Sequence, residues 1–204
     1  MSMESEPTVF VVDDDKAVRE GIALLVKSVG LKVRCFENAQ QFLDACDPSQ
    51  PGCLVLDVRM PGMSGLELCE KLAEHKVTLP VIFLTGHGDV GMGVRAIKNG
   101  AVDFIEKPPN DQVLLDSVHK AIELDAAQRR RMAEQKSVAE RAAKLTPRER
   151  QVMARLVQGK SDKQIAFELG ISVRGVAFHR ANILEKLEVD SVVELTRVAI
   201  EFGL

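Results

Sequence analysis

The chain has 204 residues, 46% of them hydrophobic, and 27 Lys and Arg against 30 Asp and Glu give a formal net charge of −3. This length accommodates one large domain or two modest domains, each with a packed core. The first residues contain neither a basic segment nor a long apolar run, so we expect a cytoplasmic protein with no signal peptide and no membrane partner.

Four short apolar runs each end at a polar side chain. T-V-F-V-V precedes Asp13 and Asp14, C-L-V-L precedes Asp57, P-V-I-F-L precedes Thr85, and A-V-D-F-I-E precedes Lys107. Runs of this kind, separated by helix-length segments, predict buried parallel strands. Ligands of α/β proteins bind at the carboxyl edge of such a sheet, so the five polar side chains should converge there.

These side chains suit a divalent cation and a phosphoryl group. Mg²⁺ prefers oxygen ligands and is often held by one or two carboxylates together with phosphate oxygens. With the cation bound, an ionised Asp57 can act as the nucleophile that accepts a phosphoryl group. Lys107 would then balance the charge on the phosphoryl oxygens, and the Thr85 hydroxyl would donate to one of them.

Two other interpretations remain for this edge of the sheet. The carboxylates could be helix caps and solvated turns, as single acidic residues at strand ends usually are. The chain could also be a phosphatase of the haloacid-dehalogenase type, which uses an aspartate nucleophile after a strand. That class requires an acidic residue two positions after the nucleophile, where this chain has Arg59, so we disfavour it.

Residues 6–125 resemble the receiver domain of two-component response regulators, because the order, spacing and strand context of these motifs agree. The resemblance implies a doubly wound, flavodoxin-like α/β fold with a five-stranded parallel sheet. It implies that Asp57 is the phosphoacceptor and that Asp13, Asp14, Asp57 and the main-chain carbonyl of Arg59 bind Mg²⁺. It further implies that Thr85 and Phe104 form a switch. The surface that this switch alters, where family members dimerise, comprises the helix 89–99, the strand 102–106 and the helix from Asp111.

The segment 125–144 is charged, rich in helix formers and free of Gly and Pro. We therefore predict a helical linker that continues a helix starting near Asp111. A coiled coil remains an alternative for it. We interpret Arg129-Arg130-Arg131 as a solvated helix face rather than a nucleic-acid patch. The predicted domains are 1–124 and 143–204, with the linker at 125–142.

The last sixty residues contain helix signals and no strand signal. Thr146, Pro147 and Glu149 form an N-cap, a first helical position and a capping box. A second helix should end at Gly170, and Ser172 should begin a third. A helix, a short glycine turn and a second helix are typical of the helix-turn-helix motif.

This segment resembles the LuxR-type helix-turn-helix domain through L-T-P-R-E, K-Q-I-A and L-G-I-S, over about residues 143–204. Together with a receiver, this is the layout of the NarL/FixJ group, and T-G-H-G-D-V resembles the FixJ branch. The resemblance implies a transcription factor that binds double-stranded promoter DNA. It also implies control by a sensor histidine kinase and a homodimer when phosphorylated.

The predicted third helix has two faces. Val176, Ile183 and Leu187 share a stripe that should pack inward. A second stripe should enter the major groove and read bases; it comprises Arg174, Ala177, Phe178 and Ala181. The candidate phosphate contacts are Arg180, Lys160, Lys163 and Lys186.

The charge of this segment favours DNA binding only weakly. From Leu145 onward it has nine Lys and Arg against eight Asp and Glu. Gly175 lies inside the predicted recognition helix, and Asp162 replaces a common asparagine of the family. A terminal module that binds protein or RNA therefore remains an alternative.

The four cysteines lack C-x-x-C spacing and histidine partners (Cys35, Cys46, Cys53 and Cys69). We interpret them as small buried apolar residues in a reducing compartment, with no disulfide or zinc role.

Overall fold

A computed structural model describes residues 6–75, 77–86 and 100–204. The chain divides into two compact units, one ending at Arg129 and the other beginning at Arg130. Within the described residues, none of the helices combines the length and the apolar character that crossing a bilayer requires. The helix predicted over 89–99 lies outside the described residues.

The first unit is built on a five-stranded parallel sheet with the order β2-β1-β3-β4-β5. The parallel sheet and its strand order confirm the predicted doubly wound fold, and the four apolar runs form β1, β3, β4 and β5. The strands are β1 (Thr8–Val12), β2 (Lys32–Phe36), β3 (Gly52–Asp57), β4 (Val81–Thr85) and β5 (Asp103–Glu106).

Helices cover both faces of the sheet because β1, β3 and β4 are apolar on both faces. One layer contains Phe42 of α2 and Leu68 of α3. The other contains Val26 of α1 and Val118 of α4. These helices are α1 (Lys16–Ser28), α2 (Ala39–Ala45), α3 (Gly65–Glu74) and α4 (Asp111–Ala143).

The resemblance implied a fifth strand, but the position of the edge strand β2 was not identified from the sequence. It pairs with β1 from Thr8↔Lys32 to Val12↔Phe36, but only Phe36 of the strand is buried. Cys35 is exposed, and its thiol donates to the carbonyl of Arg19 at 3.8 Å. The expectation of a buried thiol is therefore wrong for Cys35, because an edge strand is solvated, whereas Cys53 in β3 is buried.

The predicted continuation of the helix from Asp111 is confirmed, since α4 runs without a break to Ala143. The solvated-face interpretation is wrong for Arg129. Its guanidinium donates to both carboxylate oxygens of Asp125 at 2.8 and 2.9 Å and to three main-chain carbonyls, those of Pro48, Ser49 and Gln50. The carbonyls come from a turn far away in sequence, which no local charge pattern reveals. Arg131, by contrast, is exposed.

The second unit contains four further helices: α5 (Pro147–Val157), α6 (Asp162–Leu169), α7 (Val173–Leu187) and α8 (Val192–Phe202). Thr146 and Glu149 form the predicted capping box, and Gly170 ends α6 in the left-handed conformation at φ 64°. Ser172 caps α7 by accepting from the N–H of Gly175. The predicted order of helix, short glycine turn and second helix is confirmed by α6, Gly170 and α7.

Candidate functional site

The carboxyl ends of three strands bring two aspartates and one lysine together. Asp13 follows β1, Asp57 ends β3, and Lys107 follows β5. The Lys107 Nζ lies 2.7 Å from Asp13 Oδ2 and 2.9 Å from Asp57 Oδ2. One ammonium group therefore bridges two carboxylates at the edge where the sequence predicts a site.

Asp14 completes an acidic cluster with these two residues. One ligand atom from each of Asp13, Asp14 and Asp57 lies within 4.8 Å of the others. Asp13 and Asp57 are buried and Asp14 is exposed, so the cluster opens to solvent on one side. Asp13 Oδ2 is buried and, among the residues that the structure describes, its only polar contact is the ion pair with Lys107.

The charges of this cluster perturb each other. Burial raises the pKa of Asp13 above its ordinary value, although Lys107 and the Asp15 N–H, which donates at 2.9 Å, oppose the shift. Burial lowers the pKa of Lys107, but its bonds to Asp13 and Asp57 outweigh burial and raise that pKa. The site thus holds a buried carboxylate whose charge is only partly compensated, which fits an additional cation with oxygen ligands.

Thr85 and Phe104 lie on the two strands beside Lys107. The Thr85 carbonyl accepts from the Lys107 N–H at 2.7 Å, and the Thr85 hydroxyl donates to the Gly86 carbonyl at 3.1 Å. Phe104 is half-buried in β5, with its ring centroid 6.2 Å from that of Phe83. Both predicted switch residues therefore adjoin the loop that carries Lys107.

The loop after β3 is fixed by a close approach of α3. The Arg59 N–H donates to Asp57 Oδ1 at 3.2 Å, and its side chain is exposed. The Gly65 N–H donates to the Val58 carbonyl at 3.0 Å. A Cβ on Gly65 would lie 2.3 Å from the Asp57 carbonyl oxygen. Sequence reasoning missed Gly65, whose only signal is its position directly after the capping residue Ser64.

In the second unit, α7 presents the two predicted faces. Val176, Ile183 and Leu187 are buried in the core. On the other face, Arg174, Phe178 and Ala181 are exposed and Ala177 is half-buried. Phe178 keeps 64% of its surface accessible, which is unusual for an aromatic side chain and leaves it available for a contact.

Three of the four cations predicted to contact phosphate already have carboxylate partners. Arg180 pairs with Asp162 at 2.8 Å, Lys186 with Glu149 at 2.7 Å, and Lys160 with Glu168. Among the described residues, Lys163 has no such ion pair. The sequence predicted the cations but not these partners, because the three pairs lie 18, 37 and 8 residues apart. Their role at DNA stays a prediction.

The Lys186–Glu149 pair predicts an acid-sensitive second unit. Burial raises the pKa of Glu149, but bonds from Lys186 and Thr146 outweigh burial and hold that pKa below its ordinary value of 4.5. A lowered folded-state pKa stabilises the fold above the unfolded pKa, and this contribution is lost as pH falls through the folded pKa.

We therefore expect the thermal stability of the second unit to decrease at pH values below about 4.5. Lys186→Met leaves the buried Glu149 carboxylate without the ammonium group that stabilises its charge. We therefore expect this variant to be destabilised at neutral pH by about 1–3 kcal/mol. Calorimetry across this pH range measures both effects. Lys163→Met is the matched control, and an equal loss in that variant would contradict the assignment.

An acidic cluster contacted by a lysine at the carboxyl edge of a doubly wound sheet, together with a helix-turn-helix unit, is the layout of a response regulator with a DNA-binding domain. The family model of the response regulator receiver domain matches residues 9–119, and that of bacterial regulatory proteins of the luxR family matches residues 143–199. The chain belongs to the response regulators that join a receiver to a LuxR-type DNA-binding domain.

Known relatives and a solved structure are similar to this chain over nearly its full length. The transcriptional regulatory protein FixJ of Azorhizobium caulinodans is 46% identical, with 98% of this chain and 95% of that protein covered. The response regulator protein TmoT of Ectopseudomonas mendocina is 44% identical, with 96% and 89% covered. The structure of the response regulator StyR has 45% identity and a TM-score of 0.87, with 97% and 100% covered. The chain is thus homologous to FixJ-type transcriptional regulators.

Proposed function

We propose that Asp57 accepts a phosphoryl group from a sensor histidine kinase, with Mg²⁺ held by Asp13, Asp14, Asp57 and the main-chain carbonyl of Arg59. The observation that carries this proposal is the ammonium of Lys107 bridging Asp13 and Asp57 at one strand edge. The partly compensated charge of Asp13 supports the cation, which would neutralise charge on the transferred group.

In the proposed reaction, a carboxylate oxygen of Asp57 attacks phosphorus and forms an acyl-phosphate bond. The bond from phosphorus to the donor nitrogen breaks, and the donor histidine keeps that electron pair. Lys107 moves its contact from the Asp57 carboxylate to a phosphoryl oxygen, which keeps a positive charge where negative charge accumulates. The Thr85 hydroxyl leaves the Gly86 carbonyl and donates to another phosphoryl oxygen.

The same movement links the site to an output. Phosphorylation adds about two negative charges at Asp57. When Thr85 turns towards them, Phe104 on the adjacent strand turns inward and changes the surface of β5 and the start of α4. We propose that two phosphorylated copies associate through this surface, which stabilises a dimer on DNA. The helix predicted over 89–99, which the resemblance assigns to the same surface, lies outside the described residues.

We further propose a receiver at 1–124, a helical linker at 125–142 and a DNA-binding domain at 143–204. A dimer would bind two half-sites of promoter DNA related by two-fold symmetry. The face of α7 that carries Arg174, Ala177, Phe178 and Ala181 would enter the major groove, with the Phe178 ring available to thymine methyl groups. Lys160, Lys163, Arg180 and Lys186 would contact phosphates, and Lys160 and Arg180 would first release a partly exposed carboxylate.

Incubation with Mg²⁺ and acetyl phosphate, followed by intact mass measurement, tests the acceptor. We expect one phosphoryl adduct on the unchanged chain and none on Asp57→Asn, because an amide cannot form the acyl phosphate. Asp44→Asn, which alters an exposed carboxylate on α2, is the matched control and should keep the adduct. An adduct that persists in Asp57→Asn would refute the assignment.

A further inference from the structure

Arg180 on α7 is held by the first residue of the preceding helix of the motif. Its Nη1 donates to both carboxylate oxygens of Asp162, at 3.0 and 2.8 Å. The side chains remain 39% and 26% exposed, so water and ions reach the pair. The ion pair therefore joins the two helices of the helix-turn-helix motif at an accessible surface.

The exposure of this pair distinguishes it from the pair that Lys186 makes. Glu149 is only 3% exposed and also accepts from the Thr146 N–H at 2.7 Å, so it belongs to the fold of α5. A partly exposed ion pair contributes little to stability, and a phosphate is an equally good acceptor for a guanidinium. Arg180 can therefore exchange Asp162 for a DNA phosphate at small cost.

Asp162 has a second effect that acts in the same direction. It is the first residue of α6, directly after the N-cap Ser161. The free N–H groups and the dipole of a helix N-terminus favour an anion, and here a side-chain carboxylate supplies that charge. A phosphate that approaches Arg180 meets this carboxylate and is repelled by it.

We propose that Asp162 is a positioning residue. It holds Arg180 in the free protein, so that a DNA phosphate must compete with the carboxylate for the guanidinium, and it thereby lowers sequence-independent DNA affinity. This inference rests on the proposed DNA binding. In a unit with nearly balanced charge, the occupied guanidinium withholds one of few possible phosphate contacts, and phosphate contacts contribute to the binding of DNA of any sequence.

The test uses the full chain and a labelled duplex of random sequence, titrated over a range of salt concentrations. We expect Asp162→Asn to bind roughly three- to ten-fold more tightly at low salt and to steepen the log–log salt dependence by about one unit, as one added phosphate contact should. Glu201→Gln removes the same charge from an exposed site on α8. Glu201→Gln should raise DNA affinity less and leave the slope of the salt dependence unchanged. A purely structural effect of Asp162→Asn would also leave that slope unchanged.

The double variant decides whether Asp162 acts through Arg180. Arg180→Met should bind more weakly than the unchanged chain, and adding Asp162→Asn to it should raise affinity no more than Glu201→Gln does. An equal gain with Arg180 removed, or an unchanged slope in Asp162→Asn, would overturn the inference while the unchanged chain still binds DNA. Failure of both the unchanged chain and Asp162→Asn to bind at low salt would overturn the proposed DNA binding together with the inference.

Discussion

Replacing Gly65 by alanine is expected to destabilise the first unit by about 3 kcal/mol or more and to reduce phosphoryl uptake at Asp57. A Cβ at this position would lie 2.3 Å from the Asp57 carbonyl oxygen and 3.0 Å from Leu56 Cγ. The first clash is with the main chain, so no change of rotamer relieves it. Either α3 moves away from β3, or the main chain of Asp57 moves out of the site.

Both consequences are measurable. Because two compact units need not unfold together, hydrogen exchange of the β3 amides reports the first unit better than a single melting temperature. Phosphoryl uptake from acetyl phosphate reports the position of Asp57. Gly21→Ala is the control, since Gly21 lies in α1 with open space around its Cβ position. That change should be neutral or stabilising by up to about 1 kcal/mol. Unchanged exchange and uptake in Gly65→Ala would disprove the close approach.

The predictability of the sheet depended on how fully each strand is buried. Strands β1, β3 and β4 are apolar on both faces, so short β-branched runs identified them, and the polar residues that followed identified the site. Strand β2 lies at the edge with only Phe36 buried. Its sequence K-V-R-C-F contains no apolar run, and a strand of that kind is recognisable only through its pairing with β1.

The sequence predicted which charged residues are important, but it did not predict which of them form ion pairs with each other. The position of Lys107 at the edge of the sheet was predictable, because the sheet fixes the end of the strand that precedes it. Arg180 and Arg129 depend on which groups the fold brings to them, and a paired guanidinium and a solvated one have the same local sequence. Asp162 was noticed as an unusual negative charge, but its bond to Arg180 requires the packing of α6 on α7.

Arg129→Met is expected to destabilise the first unit by about 3–5 kcal/mol. Asp125 is 2% exposed, and its Oδ2 accepts from the Gly52 N–H at 2.9 Å. Without the guanidinium, this carboxylate keeps its burial and loses its counter-charge. The carbonyls of Pro48, Ser49 and Gln50 lose a donor at the same time.

The expected loss of stability arises because Asp125 remains buried and charged without a partner, and not because the ion pair itself is strong. Desolvation offsets much of the attraction in a buried ion pair, so replacing both partners should cost less than replacing one. Adding Asp125→Asn to Arg129→Met should therefore recover part of the lost stability, because the neutral amide oxygen can still accept from Gly52. A double variant as unstable as Arg129→Met would contradict this explanation.

Arg131→Met is the matched control, because Arg131 lies two residues away on the same helix and is exposed. We expect a change within about 0.5 kcal/mol there. Hydrogen exchange at Gly52 and Cys53 should accelerate in Arg129→Met alone, since Asp125 connects α4 to the first residue of β3. Equal effects of the two variants would mean that the positive charge of the arginine run, and not the contact with the turn 48–50, stabilises this helix.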